Sequence, residues 1–148
     1  MVSTEGRFCI GIGVIMENKI TGTILLLRRS SDLEFGAGIW DDIGGRMHQF
    51  ETPEEALRRE VSEETGLSDF VILKPIDVSN YYRGEKKAEN QMVVITYWCQ
   101  TDKLDITLSP EHDAYQWLSP KKALTLTEDP NIQRLIQQFM DEKRHTSG

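Results

Sequence analysis

Apolar positions recur along this chain with two different periods, and each period predicts its own kind of element. Residues 7–16 (RFCIGIGVIM) and 23–29 (TILLLRR) are short, nearly continuous apolar runs that predict strands, with a turn over residues 17–22 between them. Residues 69–79 and 91–101 predict two longer strands, and the second (QMVVITYWCQT) is rich in β-branched and aromatic residues. Between these two, residues 80–90 read as a hairpin-like loop around Gly84. Residues 30–39, with two glycines among polar residues, read as a loop, and Gly44-Gly45 as a tight turn. Residues 113–118 predict a short strand, and Pro120 suits the start of a short helical turn.

The period changes to that of a helix after Thr52. Thr52 as N-cap, Pro53 at the first helical position and Glu55 three residues after the cap form a capping box. Gly66 suits the left-handed residue that ends a helix. The helix therefore spans residues 53–65, with Ala56, Leu57 and Val61 as its apolar stripe. A last helix is predicted over residues 130–142, opened by Pro130, with Ile132, Leu135, Ile136 and Phe139 on one face, and residues 143–148 are expected to fray. Strands mixed with two main helices imply an α/β domain.

Composition narrows the class. At 148 residues, with 39% hydrophobic and 28% charged positions, the chain is expected to be one soluble domain over residues 1–148. No run approaches the roughly 20 apolar residues of a membrane span, so no membrane partner is expected. The N-terminal MVSTEGRF lacks a basic segment followed by an apolar one, so no secretory signal is expected. Cys9 and Cys99 fall in separate predicted strands and read as buried free thiols of a reducing, cytoplasmic setting. A net charge of −7 argues against a nucleic-acid polymer as partner, because polymer binding needs a basic footprint. It leaves a small phosphorylated substrate open, since a bound cation reverses the local sign.

The chemistry concentrates in Arg59-Glu60-Val61-Ser62-Glu63-Glu64. Glu60, Glu63 and Glu64 lie three and four residues apart, within one arc of roughly 100° of the helix. Like charges at these spacings repel by a few tenths of a kcal/mol per pair, and the C-terminal end of a helix disfavours anions by roughly 0.3–1 kcal/mol each. A solvated acidic face is the ordinary explanation of such a run. A hard divalent cation is the alternative that compensates the repulsion, because Mg²⁺ takes carboxylate oxygens and keeps several waters.

Residues 45–67 favour the metal. Gly45, Glu51, Arg59-Glu60, Val61, Glu63-Glu64, Gly66 and Leu67 occupy every specified position of G-x5-E-x7-R-E-U-x-E-E-x-G-U, where U is a bulky aliphatic. This segment resembles the signature of the Nudix hydrolase (MutT-like) family. The flanking order of strands and Trp117-Leu118-Ser119-Pro120 resemble it more weakly. One departure lies just outside the signature, where Ile43 stands in place of the proline that many members carry before the two glycines; no functional group is lost.

The resemblance implies an α/β/α sandwich with a mixed β-sheet. It also implies Mg²⁺-dependent hydrolysis (with Mn²⁺ as a substitute) of the pyrophosphate bond in a nucleoside diphosphate linked to a further moiety, (d)NTPs and modified nucleotides included. Glu60 and Glu64 are the expected direct metal ligands, Glu63 a further ligand or the base, and the Gly45 carbonyl a backbone ligand. Arg59 is expected to orient the site by pairing with Glu51. Glu111, in Ser109-Pro110-Glu111-His112-Asp113, is a candidate further ligand or general base, whereas His112 and His48 read as loop and surface histidines. Candidates for substrate binding are Arg28 and Arg29 at a strand end, and Trp40, Tyr81 and Tyr82, within a wider aromatic set of Phe35, Tyr97 and Trp98. Arg83 follows the two tyrosines. The expected partner is a small nucleotide, and the chain is expected to be a monomer or homodimer. A nucleotide-sensing domain without catalysis is the alternative; the intact acids weigh against it. They also weigh against an isomerase, and the acidic balance weighs against RNA decapping.

Overall fold

The longest unbroken register in the sheet is parallel and joins its first strand to one that comes some eighty residues later. β1 (Cys9–Asn18) runs beside β6 (Gln91–Thr101) in unbroken register from Cys9↔Met92 to Asn18↔Thr101. A computed structural model describes residues 5–147. β6 in turn pairs antiparallel with the edge strand β5 (Val71–Tyr82). On its other side β1 divides its partners. β4 (Ile43–Arg46) takes Gly11–Val14, while β2 (Ile24–Arg29) meets β1 at Glu17↔Ile24. β2 continues the sheet with β3 (Trp40–Asp41) on one edge and β7 (His112–Leu118) on the other. Parallel and antiparallel pairs coexist, so the sheet is mixed, and it splays open where β1 and β2 separate.

Alternate residues of the buried strands face opposite layers, as a two-residue period requires. Ile12, Val14 and Met16 of β1 and Leu25 and Leu27 of β2 pack with Ala56, Leu57 and Val61 of α1 (Pro53–Thr65). Ile15, Ile24, Leu26 and Trp98 pack on the other side with α2 (Pro120–Leu126) and α3 (Pro130–Ser147), through Ala123, Ile132, Leu135, Ile136 and Phe139. Trp98 meets Phe139 edge-on, with centroids 5.4 Å apart. The α/β/α sandwich expected from the sequence is what the chain forms.

α1 has the predicted ends. Thr52 Oγ1 accepts from the Glu55 amide and the Glu55 carboxylate accepts from the Thr52 amide, both at 3.1 Å. Gly66 closes the helix at φ 74°, in the left-handed region that a side chain disfavours.

Four expectations change. Gly44 and Gly45 are extended residues of β4 rather than a tight turn. Tyr81 and Tyr82 end β5 instead of opening the loop, which contracts to residues 83–90. β1 and β5 run two and three residues further than predicted, to Asn18 and Tyr82. The last helix does not stop at residue 142: it continues to Ser147, so residues 143–147 are helical, and Gly148, like Met1–Thr4 of the N-terminal segment, lies outside the described residues. The extension has long-range anchors, Lys74 to Glu142 at 2.6 Å and Lys143 to the buried Glu17.

Candidate active site

α1 and β4 bring the signature acids to the rim of the split in the sheet. Arg59 organises them. Its Nε and one terminal nitrogen grip both oxygens of Glu51 (2.7 and 3.0 Å), and that terminal nitrogen also donates to the Arg46 carbonyl at 2.9 Å. The other terminal nitrogen donates to Glu60 Oε1 at 2.8 Å and Glu63 Oε2 at 3.3 Å. One guanidinium thus bonds three carboxylates. Glu51 accepts a further bond from the His48 amide at 2.6 Å. The Arg59 bond, first, and this amide hold its carboxyl down at about 2.

The two inner acids have the opposite character. Glu60 is buried, and burial raises its pKa while Arg59 pulls it back. Glu64 is 4% exposed and accepts a long 3.4 Å bond from the Gly44 amide. Burial, then the Glu60 and Asp41 charges, push it up to about 9. Gly45 faces Glu60 so closely that a Cβ there would overlap the carboxylate. Glu63 is exposed. The donors are hard oxygens, and a buried carboxylate without a cationic partner is the feature that a hard divalent ion would relieve. Among the described residues no three His, Cys, Asp or Glu side chains converge into a complete cage.

Glu60, Glu63 and Glu64 line a cleft of about 1190 Å³. Glu111 lines it too. Its loop is pinned to the end of β2, since the Ser30 amide donates to the Glu111 carbonyl at 2.9 Å and the Ser30 hydroxyl to the Pro110 carbonyl at 2.8 Å. Of the proposed substrate contacts, Arg29 and Tyr81 line the cleft and Arg28, Trp40 and Tyr82 do not. Arg28 pairs with Asp113 at 2.7 Å and lies over the Trp40 ring; Trp40 packs on the α2–α3 layer; the Tyr82 ring carries Lys86. Tyr97 and Trp98 belong to the core, while Phe35 lines the cleft beneath Arg83. His48 is exposed, as expected.

Three cleft residues escaped the sequence. His112 is no loop histidine: it opens β7, is 5% exposed, and neither ring nitrogen has a hydrogen-bond partner. Burial lowers its pKa, which favours the neutral ring. Asp41 and Asp42 enter from β3 and the residue after it. Burial, then the Asp41 charge, raises the Asp42 pKa well above the usual carboxylate range. Adjacent acids directly before the Ile43-Gly44-Gly45 segment were the available signal; without a strand predicted there, nothing aimed them.

The profile of the NUDIX domain matches residues 7–139. A dihydroneopterin triphosphate diphosphatase of Haemophilus influenzae is 28% identical over 138 residues, covering 86% of this chain and 84% of its own. The nucleoside triphosphatase NudI of an Enterobacter species is 32% identical over 112 residues, 71% of this chain and 79% of its own. Among solved structures, a MutT protein from Methanosarcina mazei superposes with a TM-score of 0.78 at 31% identity, covering 95% of this chain and 99% of that one. With the acids, the sheet and these relatives in agreement, this chain belongs to the NUDIX domain family of hydrolases.

Proposed function

We propose that this chain hydrolyses a pyrophosphate bond of a nucleoside triphosphate or modified nucleoside triphosphate, with Mg²⁺ as its ion and Mn²⁺ as a substitute. Enzymes of this family generally use a divalent metal, and the relatives described above are named for triphosphate substrates. The observation that carries the reading is the pair Glu60 and Glu64, buried one turn apart beside Gly45 with an arginine on only one of them. Glu60, Glu64 and the Gly45 carbonyl would hold the ion, with Glu63 at its outer side. When bound, the ion would neutralise phosphate oxygens and acidify water.

The chain's own residues supply the rest. Arg59 keeps Glu60 and Glu63 oriented and takes its rigidity from Glu51. Glu111, which lines the same cleft as Glu60 and Glu64, is the candidate base that accepts the proton of the attacking water. Arg29 and Tyr81 line the same cleft, where the guanidinium would suit phosphate and the tyrosine ring a nucleoside. The substrate is a small nucleotide and not a polymer. No described helix is long and apolar enough to cross a membrane. The free thiols Cys9 and Cys99 fit a cytoplasmic protein, acting as a monomer or homodimer.

The test is a phosphate-release screen of the purified chain against (d)NTPs, oxidised nucleotides, ADP-ribose, nucleotide sugars and dinucleoside polyphosphates, with and without Mg²⁺. Metal-dependent turnover of triphosphates is expected. Silence across the panel, with nucleotides still raising the melting temperature, would transfer the protein to the sensing class.

A further inference from the structure

A side pocket of about 410 Å³ adjoins the cleft, and its lining carries the opposite charge to the signature acids. Arg29 at the end of β2, Arg46 at the end of β4 and Arg83 in the β5–β6 loop all line it. Among the described residues they meet one carboxylate there, the exposed Glu34. Arg29, Phe35, Arg46 and Arg83 line the main cleft as well, so an anion in the side pocket and a group beside the acids can belong to one ligand.

Two of these arginines are held on a common support. The Arg83 guanidinium lies over the Phe35 ring, 5.4 Å from its centroid. Arg29 donates to the Phe35 carbonyl from Nε at 3.2 Å and from a terminal nitrogen at 3.1 Å. Gly36, at φ 70°, permits that approach, since a Cβ there would stand 2.9 Å from Arg29 Nε. The Arg83 amide donates to the Asn90 carbonyl at 3.0 Å and closes its own loop, while the Arg46 carbonyl is held by Arg59.

In a chain of net charge −7 an arginine has many carboxylates to choose from. Arg28, Arg58, Arg59, Arg134 and Arg144 each pair with one. Arg29 has Asp41 at 3.7 Å. Among the described residues Arg46 and Arg83 form no ion pair, although both are exposed and free to reach for one. Gathering cations from separate loops is unfavourable unless an anion joins them. A guanidinium fork matches phosphate oxygens two at a time, so two unspent forks suit a multiply charged phosphate group.

We propose that Arg46 and Arg83, with Arg29 beside them, hold the terminal phosphate of the substrate and so select nucleoside triphosphates over diphosphates. The inference rests on reading the cleft as a nucleotide site and adds the residues that read the length of the phosphate chain. A diphosphate has no phosphate to spare beyond the bond that breaks, and leaves the side pocket unfilled.

The test is calorimetric binding of ATP, GTP, CTP and UTP, each against its diphosphate, to the full chain in EDTA. In at least one pair the triphosphate is expected to bind about tenfold tighter or more, and less so as salt is added. Arg46→Gln and Arg83→Gln should each bring that ratio to about twofold or less and leave the diphosphate nearly unchanged. Glu34→Gln, which removes the one carboxylate of the lining, should tighten the triphosphate, a gain that damage to the fold would not produce. Saturating inorganic pyrophosphate should weaken the triphosphate and spare the diphosphate. Equal binding in every pair, no measurable binding, or a ratio that survives both arginine substitutions would overturn the proposal. So would a triphosphate indifferent to pyrophosphate, because the pocket would then hold a free anion. Turnover in the screen without this selectivity removes the side pocket alone, and selectivity without turnover removes the hydrolase alone.

Discussion

Replacing Glu64 by glutamine should make the metal-free protein more stable, by an amount that grows with pH, while removing its response to Mg²⁺. In the unfolded chain this carboxyl ionises at its ordinary 4.5, and in the fold it holds its proton until about 9. Between those values the unfolded state has released a proton that the folded state keeps, so folding stability falls as pH rises through the window. Each pH unit is worth about 1.4 kcal/mol. Near pH 7.5 the penalty reaches at most roughly 4 kcal/mol, and near pH 6 roughly half of that. Glutamine has no proton to keep and carries no such penalty. For a chain of this length 1 kcal/mol corresponds to about 2–4 °C in Tm, so the variant's advantage should be plain by calorimetry at pH 8 and small at pH 5.5. Mg²⁺ should raise the wild-type Tm, and do so more at pH 8, because it binds the ionised form; it should leave the variant nearly unmoved. A stability difference that stays flat from pH 5.5 to 8.5, or an equal Mg²⁺ shift in both proteins, would refute the assignment of Glu64 as a buried ligand waiting for a cation.

Glu111→Gln should lower kcat by about 10²–10⁴ with little change in KM, as read from steady-state kinetics; an unchanged kcat would remove the base from that loop. Arg59→Lys keeps the charge but cannot grip both Glu51 oxygens, so Mg²⁺ affinity measured by activity titration should fall about 10–100-fold, and an affinity equal to wild type would show that Glu51 needs no such anchor. Glu17→Ala leaves Trp98 Nε1 and Gln100 Nε2 without their shared acceptor and frees Lys143. It should cost about 2–4 kcal/mol in urea unfolding, with faster amide exchange over residues 143–147; a loss under about 0.5 kcal/mol would mean that water replaces the carboxylate.

What was legible in the sequence was local. α1 matched end to end because its cap, its proline and its closing glycine all lie within two residues of its termini, and the spacing of its acids follows from the helix itself. β6 matched because its β-branched run is bounded by polar residues at both ends. The misses share the opposite property. Gly44 is extended because Gly13 runs alongside, and a Cβ on Gly44 would stand 2.7 Å from the Ile12 carbonyl: the glycine serves close strand approach, which looks like a turn when no partner is in view. Asp41 and Asp42 were invisible for the same reason, since β3 and β4 exist through pairing with β2 and β1. The tail of α3 depends on Lys74 and Glu17, far away in the chain. His112 looked like loop because only its β2 neighbour, Arg29, makes it a strand residue.

The parallel pairing of β1 with β6 also governs how this protein can be made. Cys9 waits for Met92, and every rung up to Asn18 waits likewise, so the middle of the sheet has no partner on that side until roughly eighty further residues have left the ribosome. Translation at about 5–20 residues per second leaves β1, with its apolar stretch from Ile10 to Met16, uncovered for several seconds, while α1 is free to form early from its own caps. Assembly is therefore closed late, from the C-terminal half, and a ribosome-bound fragment ending before residue 91 should be protease-sensitive at β1 however well its helix has formed.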